Sequence, residues 1–190
     1  MHYRMFALLP KDEVETSQEA RENVQSELEN DTSFVGEGGR FNSPVADWFV
    51  IGGRWSGALT QAILDKEKLK KFFKEFQEKK LGWINRDNPE EKQREKSHKL
   101  FRKYFPDFKG EIPLYRDSYN HIGYDDDAVL VDKEIYKTHL KRLEKTYDWG
   151  KAKEGEWHVE LICLYDDYPA KLTAKNIIGK YWIVVVDYHS

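Results

Sequence analysis

The two ends of the chain carry its strongest strand-like runs, and this feature constrains the fold most. Residues 3–9 form an apolar run that stops at Pro10, and residues 181–188 form a second one. Runs rich in β-branched and aromatic residues are typical of strands. Helical patterns lie between them, so we predict an α+β fold with a mainly antiparallel sheet and helices grouped in mid-chain. A ferredoxin-like arrangement is compatible with this pattern, which leaves the strand order open.

Four segments between the two runs have helical signatures. A polar helix is predicted over residues 16–29, with Thr16 or Ser17 as its cap, and Asp132 is predicted to cap a helix through residue 145. An amphipathic stripe leads from Ala58 to about residue 81, and Asn88-Pro89 starts a helix to about residue 104. Residues 65–103 hold 14 Lys and Arg against 8 Asp and Glu. We therefore predict a charged helical insertion over residues 65–105 within a single domain, 1–190.

Composition limits the classes of protein that this chain can belong to. With 190 residues and a net charge of −3, the chain suits one well-buried core and favours no particular partner. Its single cysteine, Cys163, lies in an apolar run and is predicted to be a buried core thiol. No signal peptide or membrane span is recognisable, which predicts a cytoplasmic protein with no membrane partner. A nucleic-acid surface on the lysine-rich helices would be electrostatic only.

The segment Gly52-Gly53-Arg54-Trp55 is the densest in chemical information. Two glycines allow positive φ and close approach of a ligand, and successive N–H groups in such a turn can bind an anion. Arg54 supplies a planar fork for phosphate or carboxylate, and Trp55 a stacking face. We predict a ligand-binding turn for an anionic small molecule. The alternative is a tight strand-to-helix turn, with Trp48 and Trp55 in the core and Arg54 paired with an internal acid.

Two further groups of residues could carry chemistry. Asp187 and His189 lie two apart on a predicted strand and so share a face, where they could serve as a catalytic general-base pair or as metal ligands. The alternative is a polar strand end. Three consecutive acids, Asp125, Asp126 and Asp127, could bind a divalent metal through their oxygens. The alternative there is a solvated turn leading into a strand.

Three blocks of the sequence together resemble a set of uncharacterised bacterial and phage proteins. Residues 47–57 read Asp-Trp-Phe-Val-Ile-Gly-Gly-Arg-Trp-Ser-Gly, similar to the motif Asp-Trp-Tyr-x-Ile-Gly-Gly-Arg-Trp-x-Gly of those proteins. Residues 119–128 and 185–190 are similar to later segments of them. Phe49 departs from the motif, where an aromatic residue with a hydroxyl is frequent. The resemblance implies that the three blocks form one site, and it brings no activity or substrate.

Three functions follow as hypotheses. The first is a pocket in which Gly52, Gly53 and Arg54 hold a nucleotide or another phosphorylated small molecule. The second is a metal-dependent phosphoester hydrolase or transferase that uses Asp187 and His189. The third is a non-enzymatic interaction or inhibitor protein, related to phage proteins, that uses its basic helices or the aromatic segment 105–124.

Overall fold

The structure is a computed structural model that describes residues 1–30, 46–60, 63–87, 89–116, 122–124, 126–145, 160–164, 169 and 171–189. The strands are β1 (His2–Pro10), β2 (Trp48–Ile51), β3 (Leu114–Arg116), β4 (Ile122–Tyr124), β5 (Ala128–Leu130), β6 (Leu161–Cys163) and β7 (Tyr181–His189). The helices are α1 (Ser17–Asn30), α2 (Lys66–Glu78), α3 (Glu90–Tyr104), α4 (Lys133–Ile135) and α5 (Ala174–Ile177). A π-helical turn (Tyr136–Leu140) and a 3-10 turn (Lys141–Leu143) continue α4.

The two terminal strands pair with each other at the centre of a mixed sheet of five strands. Strand β7 runs antiparallel to β1 along its whole length, from His2 opposite His189 to Pro10 opposite Tyr181. Strand β6 pairs with β1 in parallel, while β2 and β5 both pair with β7 in antiparallel fashion. Three of the four pairings are therefore antiparallel, and the predicted α+β class is confirmed. Strands β3 and β4 form a separate two-stranded sheet.

One edge of β7 is covered by two strand segments that lie end to end. Strand β2 pairs with β7 up to Val186, and β5 pairs with it from Val184 onward. Between them, the Val185 carbonyl accepts from Gly52 N at 2.9 Å, and Val185 N donates to the Asp127 carbonyl at 2.8 Å. The chain thus leaves this edge at Gly52 and returns to it at Asp127.

Successive side chains of a strand point to opposite faces of the sheet, and the core therefore has two layers. Met5, Ala7 and Leu9 of β1 pack with Ala20 and Val24 of α1. On the opposite face, the β1 side chains that alternate with these join the apolar residues of α4 and of its continuation. The second layer consists of Phe6, Leu8, Val129, Ile135, Tyr136, Leu140, Leu161, Cys163, Ile183 and Val185, among others. The prediction that Cys163 is a buried core thiol is confirmed.

Helices therefore cover both faces of the sheet. A ferredoxin-like arrangement would place the main helices together on one face. Here α1 and α4 lie on opposite faces, and the strand order is β2–β7–β1–β6 with β5 beside β7. Among the residues that the structure describes, none of the helices combines the length and the apolar composition needed to cross a bilayer.

Two of the predicted helix caps, at Thr16 and Asp132, are confirmed, whereas α3 begins at Glu90 with Pro89 as its N-cap and the predicted cap Asn88 lies outside the described residues. Thr16 Oγ1 accepts from Glu19 N at 3.2 Å, while the Glu19 carboxylate accepts from Thr16 N at 3.2 Å, so the pair is a capping box. Asp132 Oδ1 accepts from Ile135 N at 2.8 Å. Helix α2 begins later than the stripe from Ala58 predicts, because Asp65 caps it by accepting from Lys68 N.

Helices α2 and α3 lie within residues 65–105 and pack through their own apolar cluster. Phe72 of α2 lies 5.5 Å from Phe101 of α3 in an edge-to-face arrangement, with Leu69, Phe76 and Leu100 around them. A polar contact reinforces the pair, since the Glu75 carboxylate accepts from Lys79, Lys103 and Tyr104 at 2.7, 2.8 and 2.6 Å. The hydrogen bonds from Lys103, Lys79 and Tyr104, in that order of importance, lower the pKa of Glu75 from 4.5 to about 2.

Protonation of Glu75 should weaken the contact between α2 and α3. A carboxyl with a lowered pKa in the folded state stabilises it above pH 4.5, and this contribution is lost as the pH falls toward about 2. We expect Glu75→Gln to reduce the free energy of unfolding at pH 7 and to have little effect at pH 2.5. Urea denaturation at both pH values measures the difference. Glu67→Gln, which removes an exposed pair with Lys70, is the control; an equal pH dependence in the two variants would contradict the assignment.

Candidate functional site

At one end of the sheet, the face that elsewhere carries the core layer of Phe6 and Val185 has polar side chains and two exposed apolar ones. The residues that continue the row of Phe6 and Val185 on this face are His2 and Arg4 of β1 and Asp187 and His189 of β7. Trp48 and Val50 of β2 extend it across the sheet, and they are 43% and 42% exposed. We call these six residues, together with the turn Gly52–Trp55, the open face. No other part of the described sheet combines exposed apolar side chains with imidazoles and carboxylates.

Three rings meet at the outer end of the open face. His2, Trp48 and His189 lie opposite one another on neighbouring strands, and their ring centroids are 5.1 to 5.7 Å apart. The rings of Trp48 and His189 are parallel, with an interplanar angle of 2°. This arrangement follows from the registers, which pair His189 with both His2 and Trp48.

Each of the two imidazoles is held by an aspartate. His2 Nδ1 donates to Asp187 Oδ1 at 2.9 Å, and His189 Nδ1 donates to Asp47 Oδ2 at 3.0 Å. The Asp187 side chain is only 2% exposed, whereas that of Asp47 is 66% exposed. On the far side of the His189 ring, Nε2 accepts from the Met1 ammonium at 3.1 Å. With Nδ1 protonated in each ring, the Nε2 atoms carry the lone pairs.

The buried carboxylate of Asp187 also fixes the glycine turn. Its Oδ2 accepts from Arg54 N at 2.9 Å, so a single side chain holds both His2 and the turn. A Cβ built on Gly53 would lie 2.6 Å from Asp187 Oδ2 and 2.7 Å from Val50 Cγ1. Gly53 has φ of 52°, and the absence of a side chain allows the turn to lie directly on the sheet.

Gly52 lies against a second buried carboxylate. A Cβ on Gly52 would be 2.1 Å from Asp127 Oδ2, and the same oxygen accepts from Ser56 Oγ at 3.1 Å. Burial raises the pKa of Asp127, and the Arg21 charge, the Ser56 hydroxyl and the Gly57 N–H oppose that shift. The turn is therefore in contact with one carboxylate from β7 and with another from the residue that precedes β5.

The predicted ligand-binding residues of the turn have different environments. The Arg54 side chain is exposed, and within the described part of the chain its guanidinium has no ion pair, contrary to the alternative of a pairing with an internal acid. Trp55 packs on the core layer of Phe6 and Val185. The guanidinium of Arg4 lies 5.3 Å from the Trp55 ring centroid and 5.0 Å from that of Phe6. Burial, and then the neighbouring Arg142, lower the pKa of Arg4.

The two described acids of the run Asp125–Asp127 contact different parts of the fold. Asp125 lies outside the described residues. Asp126 Oδ2 accepts from Thr60 N and Thr60 Oγ1, each at 2.8 Å, while Asp127 contacts the Gly52 turn. Both are at least 97% buried, so neither belongs to a solvated turn. Among the described residues no group of three or more His, Cys, Asp and Glu is arranged to hold a metal ion.

The structure brings Asp187, His189, Arg54 and the two glycines to one face. It pairs Asp187 with His2 and His189 with Asp47 instead of joining the two predicted catalytic residues to each other. His2, Asp47 and the exposure of Trp48 were not predicted from the sequence. Alternation in Met1-His2-Tyr3-Arg4 was the available signal, because it places His2 and Arg4 on one side of a terminal strand.

The fold and this face define an α+β protein with a mixed five-stranded sheet and a polar, partly exposed sheet end. Comparisons of the chain with protein-family models, with curated protein sequences and with solved structures find no match.

Proposed function

We propose that the open face binds a small anionic ligand that also carries a ring, such as a nucleotide. The observation that carries the proposal is the combination, in Arg54, of an anchored backbone and an exposed side chain. Its backbone N–H is fixed by the buried Asp187, whereas its guanidinium is exposed and has no ion pair within the described residues. The anchored backbone fixes the position from which the Arg54 side chain extends, and a guanidinium matches phosphate or carboxylate in two hydrogen bonds.

The three-ring cluster supports a ligand with a planar ring. Trp48 is 43% exposed although it lies within a strand, and its buried side is supported by the parallel His189 ring. An exposed indole on a rigid strand provides a stacking surface whose order is already set by the sheet. Nε2 of His2 points away from the Asp187 carboxylate that holds Nδ1, and it makes no hydrogen bond to a described residue. This atom can therefore contact a ligand.

The metal-dependent hydrolase is supported less well than anion binding. Its residues Asp187 and Asp126 hold different partners, Arg54 and His2 in one case and Thr60 in the other. Each carboxylate already accepts two hydrogen bonds within the fold. An ion would have to displace some of these bonds, whereas an anion at Arg54 displaces none of those that the structure shows.

Removal of the Arg54 guanidinium should weaken binding without unfolding the protein. We expect Arg54→Ala to raise the Kd for a nucleoside monophosphate about 10- to 100-fold, since a hydrogen bond to a charged group contributes about 1.5–3 kcal/mol. The melting temperature should stay close to that of the wild type, because Asp187 contacts the backbone of Arg54 and not its side chain. Calorimetric titration with a nucleoside monophosphate, with the free nucleoside and with inorganic phosphate separates the contributions of ring and anion.

Arg86→Ala is the matched control for this experiment. It removes the same charge from an exposed position between α2 and α3, away from the open face. Equal weakening by both substitutions would show that only net charge matters, and it would exclude a specific anion site at Arg54. Failure of the wild type to bind any of the three probes would exclude the proposed function.

A further inference from the structure

The paired imidazoles of the open face exceed what anion binding requires. Two histidines lie with ring centroids 5.5 Å apart, and each has its Nδ1 held by a different aspartate. An aspartate on Nδ1 fixes the tautomer and the orientation of an imidazole and stabilises its protonated form. Two imidazoles arranged in this way can take a proton from one oxygen and give a proton to another during a single reaction.

We propose that the open face cleaves RNA-like phosphodiesters, with His2 and His189 as the proton-transfer pair. This inference rests on the proposed function, because the phosphodiester would occupy the anion site at Arg54 and its base the surface of Trp48. A substrate with a hydroxyl next to the phosphate supplies its own nucleophile, and a base within reach of that hydroxyl can activate it.

The surroundings of the two histidines differ, and we assign their roles accordingly. Asp187 is buried and holds Nδ1–H of His2, whose Nε2 makes no hydrogen bond to a described residue, so His2 is assigned as the base. His189 is the more exposed of the two, with 35% against 21% of its side chain accessible, and is assigned as the acid. The Met1 ammonium, which contacts His189 Nε2, must leave this position before the proton transfer.

The step is balanced without water, a redox partner or a metal ion. His2 Nε2 removes the proton from the 2′-hydroxyl, and the 2′-oxygen forms a bond to phosphorus. The bond from phosphorus to the 5′-oxygen breaks, and that oxygen takes the proton of the His189 imidazolium. The products are a 2′,3′-cyclic phosphate and a 5′-hydroxyl. The Arg54 guanidinium compensates the charge that develops on the non-bridging oxygens.

Cleavage is tested with a short single-stranded RNA and with the DNA of the same sequence, both in EDTA. We expect the RNA to be cut to products with 2′,3′-cyclic phosphate ends, identified by mass spectrometry, and the DNA to bind without cleavage. His2→Ala and His189→Ala should each lower the rate about 100-fold or more, the usual range for loss of a general acid or base. His98→Ala, which removes a histidine from α3 outside the open face, should cleave at the wild-type rate.

A substrate with a better leaving group distinguishes the two roles. A nucleoside 3′-(4-nitrophenyl phosphate) releases an oxygen that needs no proton, so His189→Ala should recover most of its activity while His2→Ala stays slow. This readout compares two substrates on the same variant, and it therefore remains valid if a substitution lowers the folded fraction.

The outcomes separate the two proposals. Binding of the DNA together with an intact RNA would overturn the cleavage and leave the proposed function standing. Binding of neither oligonucleotide and of no nucleotide would overturn both. Equal cleavage by His2→Ala, His189→Ala and His98→Ala would assign the activity to a contaminant and would overturn the inference.

Discussion

Replacement of Gly52 by alanine should destabilise the protein more than any other single methyl group added to the open face. Gly52 has φ of 75° and ψ of −75°, a sparsely populated backbone conformation that costs an L-residue about 1–3 kcal/mol. The new Cβ would also lie 2.1 Å from Asp127 Oδ2 and 2.5 Å from Ser56 Oγ, and overpacking of this kind costs about 1–3 kcal/mol more. We expect a total loss of about 4 kcal/mol in the free energy of unfolding, measured by urea denaturation.

Gly179→Ala is the control for a positive φ without crowding. Gly179 has φ of 71°, and a Cβ there would have no heavy atom within 4 Å. Its substitution should therefore cost only the backbone part, about 1–2 kcal/mol. A similar loss in both variants would mean that the Asp127 carboxylate can move away at little cost, and the contact between the turn and Asp127 would then be unimportant for stability.

Removal of the Asp187 carboxylate should have an effect of similar size. Asp187→Ala deprives Arg54 N and His2 Nδ1 of their acceptor at a position that is 1% exposed. Hydrogen bonds to a charged group contribute about 1.5–3 kcal/mol each, so we expect a loss of about 3 kcal/mol or more. Both ligand binding and cleavage should be lost with it, because the turn and His2 are released together.

Asp187→Asn separates the structural role of this residue from its chemical one. The amide oxygen can still accept from Arg54 N, which should retain much of the stability. The amide nitrogen would then face His2 Nδ1, and the imidazole would have to carry its proton on Nε2 instead. Nitrogen chemical shifts measured by NMR report this change of tautomer, and an unchanged tautomer would contradict the assigned contact. Asp47→Asn is the comparison: it affects His189 at an exposed site and should change stability by less than about 1 kcal/mol.

Much of the fold is local in origin and could be predicted for that reason. The apolar runs of β1 and β7 define strands from their own composition, and the caps at Thr16 and Asp132 define helix starts through bonds to residues only three positions away. Strand order is different, because it depends on contacts between distant segments. Nothing in the sequence near Cys163 indicates that β6 pairs in parallel with β1. Which faces of the sheet the helices cover also depends on contacts between distant segments.

The candidate site shows the same limit. The glycines and Arg54 stand out because of their local chemistry, and Asp187 and His189 because they alternate on one strand. The partners of these residues could not be predicted, since Asp187 meets His2 across 185 positions and Arg54 across 133. Only the register of β1 against β7 determines that His2, and not His189, contacts the buried carboxylate. A shift of that register by one residue would move every side chain to the other face.

Val185 of β7 lies opposite both the point where the chain leaves the sheet edge, at Gly52, and the point where it returns, at Asp127. Both of its backbone groups are used, one by Gly52 and the other by Asp127, although 74 residues separate those two partners in the chain. The pairing of each strand segment with β7 is therefore set independently of the length of the chain between them, and the entropy of closing a loop changes only slowly with its length. We therefore expect changes in the length of that chain, which includes α2 and α3, to leave the registers of the neighbouring sheet unchanged.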